Sequence, residues 1–150
     1  MPKGVAMSVR ALYVPISLDW KPYGRLRGPK GDLVYNCMPF FHGTGGLNLV
    51  SNLFSGTSVA IGKKFSLKTF WLDCIDSKAT MFCYGEFIEI TITAQLLNFP
   101  VGEVARYLLS APPSPNDREH NINFMMGNGL RPDVWNRFQV SDFLKVCNVT

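Results

Sequence analysis

Four short apolar runs, each followed by a stretch of different periodicity, limit what this chain can become. "LVYNCMPF" (Leu33 to Phe40), "TSVAIG" (Thr57 to Gly62), "ATMFCY" (Ala79 to Tyr84) and "INFMMGNG" (Ile122 to Gly129) are too short for helices and are bounded by glycine, proline or polar residues. Between them, "GLNLVSNLFSG" sets Leu47, Leu49, Val50, Leu53 and Phe54 near an i, i+3, i+4 stripe, with Gly56 where a C-terminal cap belongs. "LKTFWLDCIDSK" puts Phe70, Cys74 and Ile75 along one side, with Ser66 as its expected N-cap. "GEVARYLL" is a third helical stretch, and "RPDVWNRFQ" a fourth that opens on Pro132, a residue tolerated in a first turn. Strands are expected at Leu33–Pro39, Ser58–Ile61, Thr80–Tyr84 and near Asn123–Met126, with Pro39 ending the first and "HGTGG" as a turn after it. Upstream, Val5 to Leu18 reads as a helix and Lys21 to Asp32 as a loop; "APPSPNDREHN" is a proline-rich surface loop. Strands alternating with helices at this spacing require crossovers, hence an α/β fold of repeated βα units around a mostly parallel sheet.

Composition agrees and excludes several classes. At 150 residues, 47% hydrophobic and 17% charged, the chain suits one globular domain rather than a disordered segment. Its 15 Lys and Arg against 11 acids give a charge of +4, but they are scattered, with Lys63-Lys64 the adjacent pair and no aromatic-basic stripe. Nucleic acid is therefore not expected as a partner. Cys37, Cys74, Cys83 and Cys147 form no C-x-x-C pair, and His42 and His120 are the two histidines, so a metal cluster is not expected. The cysteines read instead as small buried apolar residues of a reducing compartment. No apolar run reaches the length of a membrane-spanning helix.

Two glycine turns follow strands. "GTGGLN" places Gly43 and Gly45 as a dinucleotide fingerprint would, but ends on Asn48 and has no acid about twenty residues on. "GNGLRP" ends on Pro132 and fails likewise. A Rossmann oxidoreductase is not expected, although such turns still admit a ligand close to the backbone. His42 stands at the end of a buried strand, where α/β folds place ligands, but no serine or cysteine nucleophile motif accompanies it. On local pattern it is a hydrogen-bonded structural histidine.

Five ordered blocks carry a resemblance. "MPKGVAM" resembles the close of a phosphate-binding loop ending in [LM]-P-K-[GA]. "YNCMPFFHGTGG", "GTSVAIGKKFSLKTFW", "VGEVARYLLSAPPSPNDREH" and "GNGLRPDVWNRF" follow in order. Together they resemble the AMP-forming acyl-CoA synthetases, in the fungal fatty-acid-transport and very-long-chain branch, over nearly all of Met1 to Gln139. The resemblance implies part of that family's large domain and its reaction: a fatty acid and ATP give acyl-adenylate and pyrophosphate, and the acyl group passes to coenzyme A. It implies Mg2+ with the ATP or AMP, fatty acid and nucleotide as partners, and an intracellular, membrane-associated setting at endoplasmic reticulum, peroxisome, lipid droplet or plasma membrane. By position, it assigns Lys3 and Gly4 to the nucleotide phosphates, Gly127, Asn128, Gly129 and Leu130 to the turn beside the adenine, and His42 with Gly43 to the acyl and coenzyme A tunnel.

Departures from the pattern shape the expectation further. The Ser/Thr/Gly-rich part of the phosphate loop, the Tyr-Gly-x-Thr-Glu segment, the ribose-binding aspartate, the hinge and the catalytic lysine are not among these residues. The expectation is an internal fragment, with no complete catalytic set and inactive alone; the alternative is a non-catalytic acyl-chain-binding module. Gly85–Pro100 interrupts what should read Tyr-Val-Gly-Glu, and the resemblance stops at Gln139. Codons for Tyr84 to Phe87 can contain GTGAGT, a splice donor, and those for Pro100-Val101 an AG acceptor; excision would restore a valine codon. Gln139-Val140-Ser141 can be written CAGGTAAGT. Residues 85–100, a non-family insertion, and the divergent tail 140–150 are therefore expected to be translated intron; the alternative is a lineage-specific surface insertion and a divergent tail.

Overall fold

The computed structural model describes residues 8–10, 31–84, 104–127 and 132–140. The expected upstream helix, the interruption at Gly85–Pro100, most of the tail and Cys147 lie outside the described residues. The element order is β1 (Leu33–Asn36), α1 (Gly43–Phe54), β2 (Ser58–Ile61), α2 (Phe70–Asp76), β3 (Met81–Tyr84), α3 (Val104–Ser110), β4 (Phe124–Gly127) and α4 (Pro132–Val140). A 3-10 turn at Pro115–Asp117 interrupts the proline-rich loop, closed by a capping box between Ser114 and Asp117.

All three strand pairings are parallel, in the order β2-β1-β3-β4. The chain steps from β1 to one side for β2, then returns to the other side of β1 for β3 and β4. The direction of winding therefore reverses between β1 and β3. Because crossovers are right-handed, that reversal puts α1 on one face of the sheet and α2 and α3 on the other. The packing agrees. Tyr35, Phe82 and Met125 point into a core with Phe70 and Trp71 of α2, Leu108 of α3 and Phe138 of α4. The α1 face carries a smaller cluster of Val34, Met81 and Phe124. Strand β3 is buried at every position, which is why it reads MFCY without alternation. The Phe70 ring lies edge-on to Tyr35, Trp71 and Phe82 at centroid distances of 5.5, 5.0 and 5.3 Å, the favoured aromatic geometry.

Three local expectations change. Strand β1 stops at Asn36, three residues before Pro39, because Asn36 Oδ1 accepts the Met38 N–H at 3.0 Å and removes it from the ladder. "HGTGG" is not a turn before the helix: Gly43, Thr44, Gly45 and Gly46 form its first turn. Helix α2 starts at Phe70, with Thr69 rather than Ser66 at its N-cap; the Ser66 carbonyl instead accepts from Thr69 and Phe70 N–H in a preceding turn. Gly56 does end α1, at φ +73°, with its N–H bonded to the Leu53 carbonyl and Thr57 N–H to that of Asn52. Helix α4 begins at Pro132 as expected and runs to Val140.

Candidate functional site

In an open parallel sheet, ligands bind beyond the carboxyl ends of the strands where winding reverses. Here that place is the edge beyond Asn36 of β1, Tyr84 of β3 and Gly127 of β4. His42 and Gly43 follow β1 onto this edge, and Gly127 closes β4 there, in register with Tyr84. Lys3, Gly4, Asn128, Gly129 and Leu130 lie outside the described residues.

The β1–α1 turn is fixed from below by Asn36, which sequence reading passed over. Its side chain is fully buried, and its Nδ2 donates to the Gly45 carbonyl at 2.9 Å while Oδ1 accepts from Met38 N–H. Its own carbonyl accepts the Gly62 N–H at 2.9 Å, tying the exit of β2 to that of β1. Above this clamp the turn is so tight that side chains have no room. A Cβ on Gly45 would overlap the Pro39 carbonyl oxygen, and one on Gly46 that of Phe40. The double glycine is thus a packing requirement of the helix start, where the sequence offered only a turn signal.

His42 is the N-cap of α1. Its backbone is extended at φ −91° and ψ 143°, its N–H donates to Pro39, its carbonyl accepts from Gly46, and its Nδ1 accepts the Thr44 N–H at 3.2 Å. An accepting Nδ1 leaves the ring proton on Nε2. The half-buried ring is therefore oriented by the helix it caps, with one nitrogen committed to the backbone and the other free of that duty.

Other polar groups tie the sheet to its helices. Tyr35 donates to Asp73 Oδ2 at 2.8 Å, and Thr69 donates to the same oxygen at 3.2 Å, linking β1 to α2. Burial, then the Asp73 contact, pushes the Tyr35 hydroxyl above the usual phenol range. Cys37, Cys74 and Cys83 are buried free thiols, as expected from their spacing. Burial pushes Cys37 and Cys83 up to about 12 and raises Cys74 as well, so none is a thiolate nucleophile. An open groove of about 620 Å³ lies between the end of β2 and α2, but Lys63, Lys64, Asp73 and Asp76 line it with both signs of charge and favour neither anion nor cation. Among the described residues no group of three or more His, Cys, Asp or Glu side chains could hold a metal ion.

No protein-family model matches the chain. It is similar over 139 residues, at 44% identity, to isopenicillin N epimerase component 1 of Hapsidospora chrysogena, covering 93% of this chain and 20% of that protein. It is 37% identical over 115 residues to the medium/long-chain-fatty-acid–CoA ligase FadD6 of Mycobacterium tuberculosis, covering 76% of this chain and 16% of the other. It is also 35% identical over 140 residues to the very long-chain fatty acid transport protein of Cochliobolus heterostrophus, covering 93% of this chain and 19% of that one. Among solved structures, a long-chain-fatty-acid CoA ligase from Rhodopseudomonas palustris superposes with a TM-score of 0.62 at 17% identity, over 92% of this chain and 29% of its own. A malonyl-CoA ligase with methylmalonyl-CoA and AMP bound does so at 0.59 and 19%, over 99% of this chain and 30% of its own. The chain belongs to the AMP-forming acyl-CoA synthetase family. It matches a stretch of about a fifth of the length of these relatives. The parallel sheet with its flanking helices is that of the acyl-CoA ligase domain.

Proposed function

We propose that this chain is a segment of an ATP-dependent long- or very-long-chain fatty acid–CoA ligase, linked to fatty acid uptake. What carries the reading is similarity over 93% of the chain to a fungal very long-chain fatty acid transport protein, supported by the fatty-acid–CoA ligase of Mycobacterium tuberculosis. On this reading the edge beyond β1, β3 and β4 borders the acyl-adenylate. Gly127 leaves no side chain at the end of β4, which suits close backbone approach by a planar base. His42, held by its cap bond to Thr44, presents its ring beside the acyl and coenzyme A path with Gly43. When bound, ATP supplies the activated phosphoryl chemistry and its Mg2+ arrives with it as part of the substrate. The protein's share is position and charge stabilisation, so Lys3, Gly4 and the 127–130 turn would act as phosphate and adenine contacts, not as nucleophiles.

The 150 residues by themselves contain only part of that machinery, and the purified chain is expected to be inactive. Incubated with ATP, Mg2+, oleate or a longer acid, and coenzyme A, it should release no pyrophosphate above blank. Heat-sensitive turnover by the chain would refute this. With the segment grafted in place of the matching stretch of the Cochliobolus heterostrophus protein, His42→Ala should impair acyl or coenzyme A use about tenfold or more and leave ATP binding within about twofold, on the scale of one lost positioning contact. Equal loss of ATP binding would remove His42 from the acyl path. Of membrane attachment, one structural fact bears: no described helix is long and apolar enough to cross a membrane.

A further inference from the structure

Between α3 and β4 the chain runs through "APPSPNDREH", Ala111 to His120, where three of its ten prolines fall within four residues. A hydroxyl residue stands directly before a proline at one place in the 150 residues, Ser114–Pro115, with a further proline two positions earlier at Pro112. The loop lies on the surface. Pro112, Pro113, Pro115, Arg118 and Glu119 are exposed, and residues 112–114 belong to no helix or strand. Proline pushes the residue before it into extended backbone, and Ser114 has φ −130° and ψ 147°.

The bonds that hold Ser114 are local. Its N–H donates to Asp117 Oδ2 at 2.8 Å, its carbonyl accepts the Asp117 N–H at 3.0 Å, and its Oγ accepts the Asn116 N–H at a long 3.4 Å. Among the described residues no acceptor takes the Ser114 hydroxyl proton. The anchors on either side are deeper. Leu108, His120 and Ile122 are buried, the His120 ring stacks on Trp71 at 4.2 Å, and its Nδ1 accepts the Ile122 N–H at 3.1 Å. The stretch between them can therefore rearrange while both ends stay fixed.

We propose that Ser114 is a phosphorylation site for a proline-directed serine/threonine kinase, and that the added phosphate opens the capping box between Ser114 and Asp117. A proline after the acceptor suits a kinase pocket that offers no partner to a backbone N–H, since proline has none. The kinase brings ATP with Mg2+. The γ-phosphorus bonds to Ser114 Oγ, its bond to the bridging oxygen breaks, ADP leaves with that electron pair, and the hydroxyl proton passes to the kinase's catalytic aspartate. The phosphate then sets close to two negative charges beside the Asp117 carboxylate, and like charges so placed repel. A long helix would favour an anion at its N-terminus, but this turn has three residues and Asp117 already meets its cap. Lys68, just before α2, lines the same cleft of about 360 Å³ as Ser114 and Asp117. An exposed ion pair to it is weak, however, whereas Asp117 is fixed at the cap. The box opens. Neither the site nor its test depends on the ligase reading.

The full 150-residue chain and a peptide of residues 108–123 are each incubated with a proline-directed serine/threonine kinase, ATP and Mg2+, and the modified residue is located by mass spectrometry. Both should be labelled at Ser114, the folded chain at no less than about a third of the peptide's rate, because the loop is exposed. Ser114→Ala should remove the label. Pro115→Ala should cut it about tenfold or more, as loss of the recognised proline requires. A labelled peptide beside an unlabelled folded chain, an unlabelled peptide, or labelling that Pro115→Ala leaves unchanged would each overturn the site. Opening of the box is read by trypsin at Arg118, the C-cap of the turn. The phosphorylated chain should be cut after Arg118 about threefold faster or more than the unmodified chain, while the two forms of the peptide are cut alike. Its melting temperature should stay within about 2 °C of the unmodified chain, because the buried anchors are untouched. An unchanged or slower cut in the phosphorylated chain would overturn the opening, as would a larger melting shift, which would place the effect in the core.

Discussion

Asn36 and His42 fix the β1–α1 turn from opposite ends, and each does so with a single side chain bonded to backbone. Asn36→Ala would strand the Gly45 carbonyl and the Met38 N–H in a site with no access to water, since Asn36 is fully buried. The expected cost is about 2–4 kcal/mol by urea unfolding, from two unsatisfied buried groups. A loss below about 0.5 kcal/mol would mean that the turn holds without its clamp. The buried thiols make a second residue-scale prediction. In the unfolded chain a thiol ionises from about 9 upward, whereas burial holds Cys37 and Cys83 at about 12. Above that first value the unfolded state has shed protons that the folded state keeps, so stability must fall as pH rises from 9 toward 12. Cys74 acts in the same direction. Melting temperatures at pH 8 and pH 10.5 should differ, with the higher pH lower, and Cys83→Ala should flatten the slope. Native alkylation of Cys37, Cys74 and Cys83 at pH 8, followed by peptide mapping, should be far slower than in denaturant.

At the scale of elements, the ends of helices hold most of what the sequence failed to announce. Helix α2 closes on Lys78 at φ +58°, a left-handed conformation that costs a residue with a Cβ about 1 kcal/mol. Lys78 is exposed, and its N–H already bonds to the Ile75 carbonyl as a capping glycine would. Lys78→Gly should therefore stabilise the chain by about 0.5–1 kcal/mol, read by thermal or urea unfolding; a loss of that size would show that the lysine side chain does something beyond occupying the position. Gly45→Ala should cost about 1–3 kcal/mol, because its methyl group would force the Pro39 carbonyl aside. The apolar runs, the stop at Gly56 and the start at Pro132 were legible, since each rests on local periodicity or a special backbone angle. The early stop of β1, the glycine-built first turn of α1 and the N-cap at Thr69 were not. The first two depend on what Asn36, Gly45 and Gly46 meet across the turn, and the third on the turn that Thr69 and Phe70 N–H close onto the Ser66 carbonyl; such approaches leave no mark on a pattern of single residues. The candidate site divides the same way. That His42 follows a buried strand was readable, while its commitment as a cap, and Asn36 beneath it, needed coordinates.

Across the whole molecule, parallel pairing follows from the alternation of strand and helix, whereas the reversal of winding is read from the strand order, and Gly85–Pro100 interrupts the alternation between Tyr84 and Val101. Structure fixes both sides of it: β3 ends at Tyr84, and α3 starts at Val104 on the face that also holds α2. Direct joining of Tyr84 to Val101 would leave Val101, Gly102 and Glu103 as the connection. Three residues are an ordinary length for a βα connection, whereas 85–103 now separate the two elements. The segment is also unlike a surface loop in composition. Ile88, Ile90 and Ile92 alternate with Glu89, Thr91 and Thr93, a strand pattern apt to pair with other chains. We therefore expect deletion of Gly85–Pro100 to leave the cooperative melt unchanged or sharper and to raise soluble yield. Transcripts from the same locus should include a form in which the codon for Tyr84 is followed by one for valine and then by Gly102. If the deleted chain lost its cooperative transition while the full chain kept one, the segment would be a structural part of this sheet, and its sequence would have to be explained as a lineage-specific insertion selected for folding.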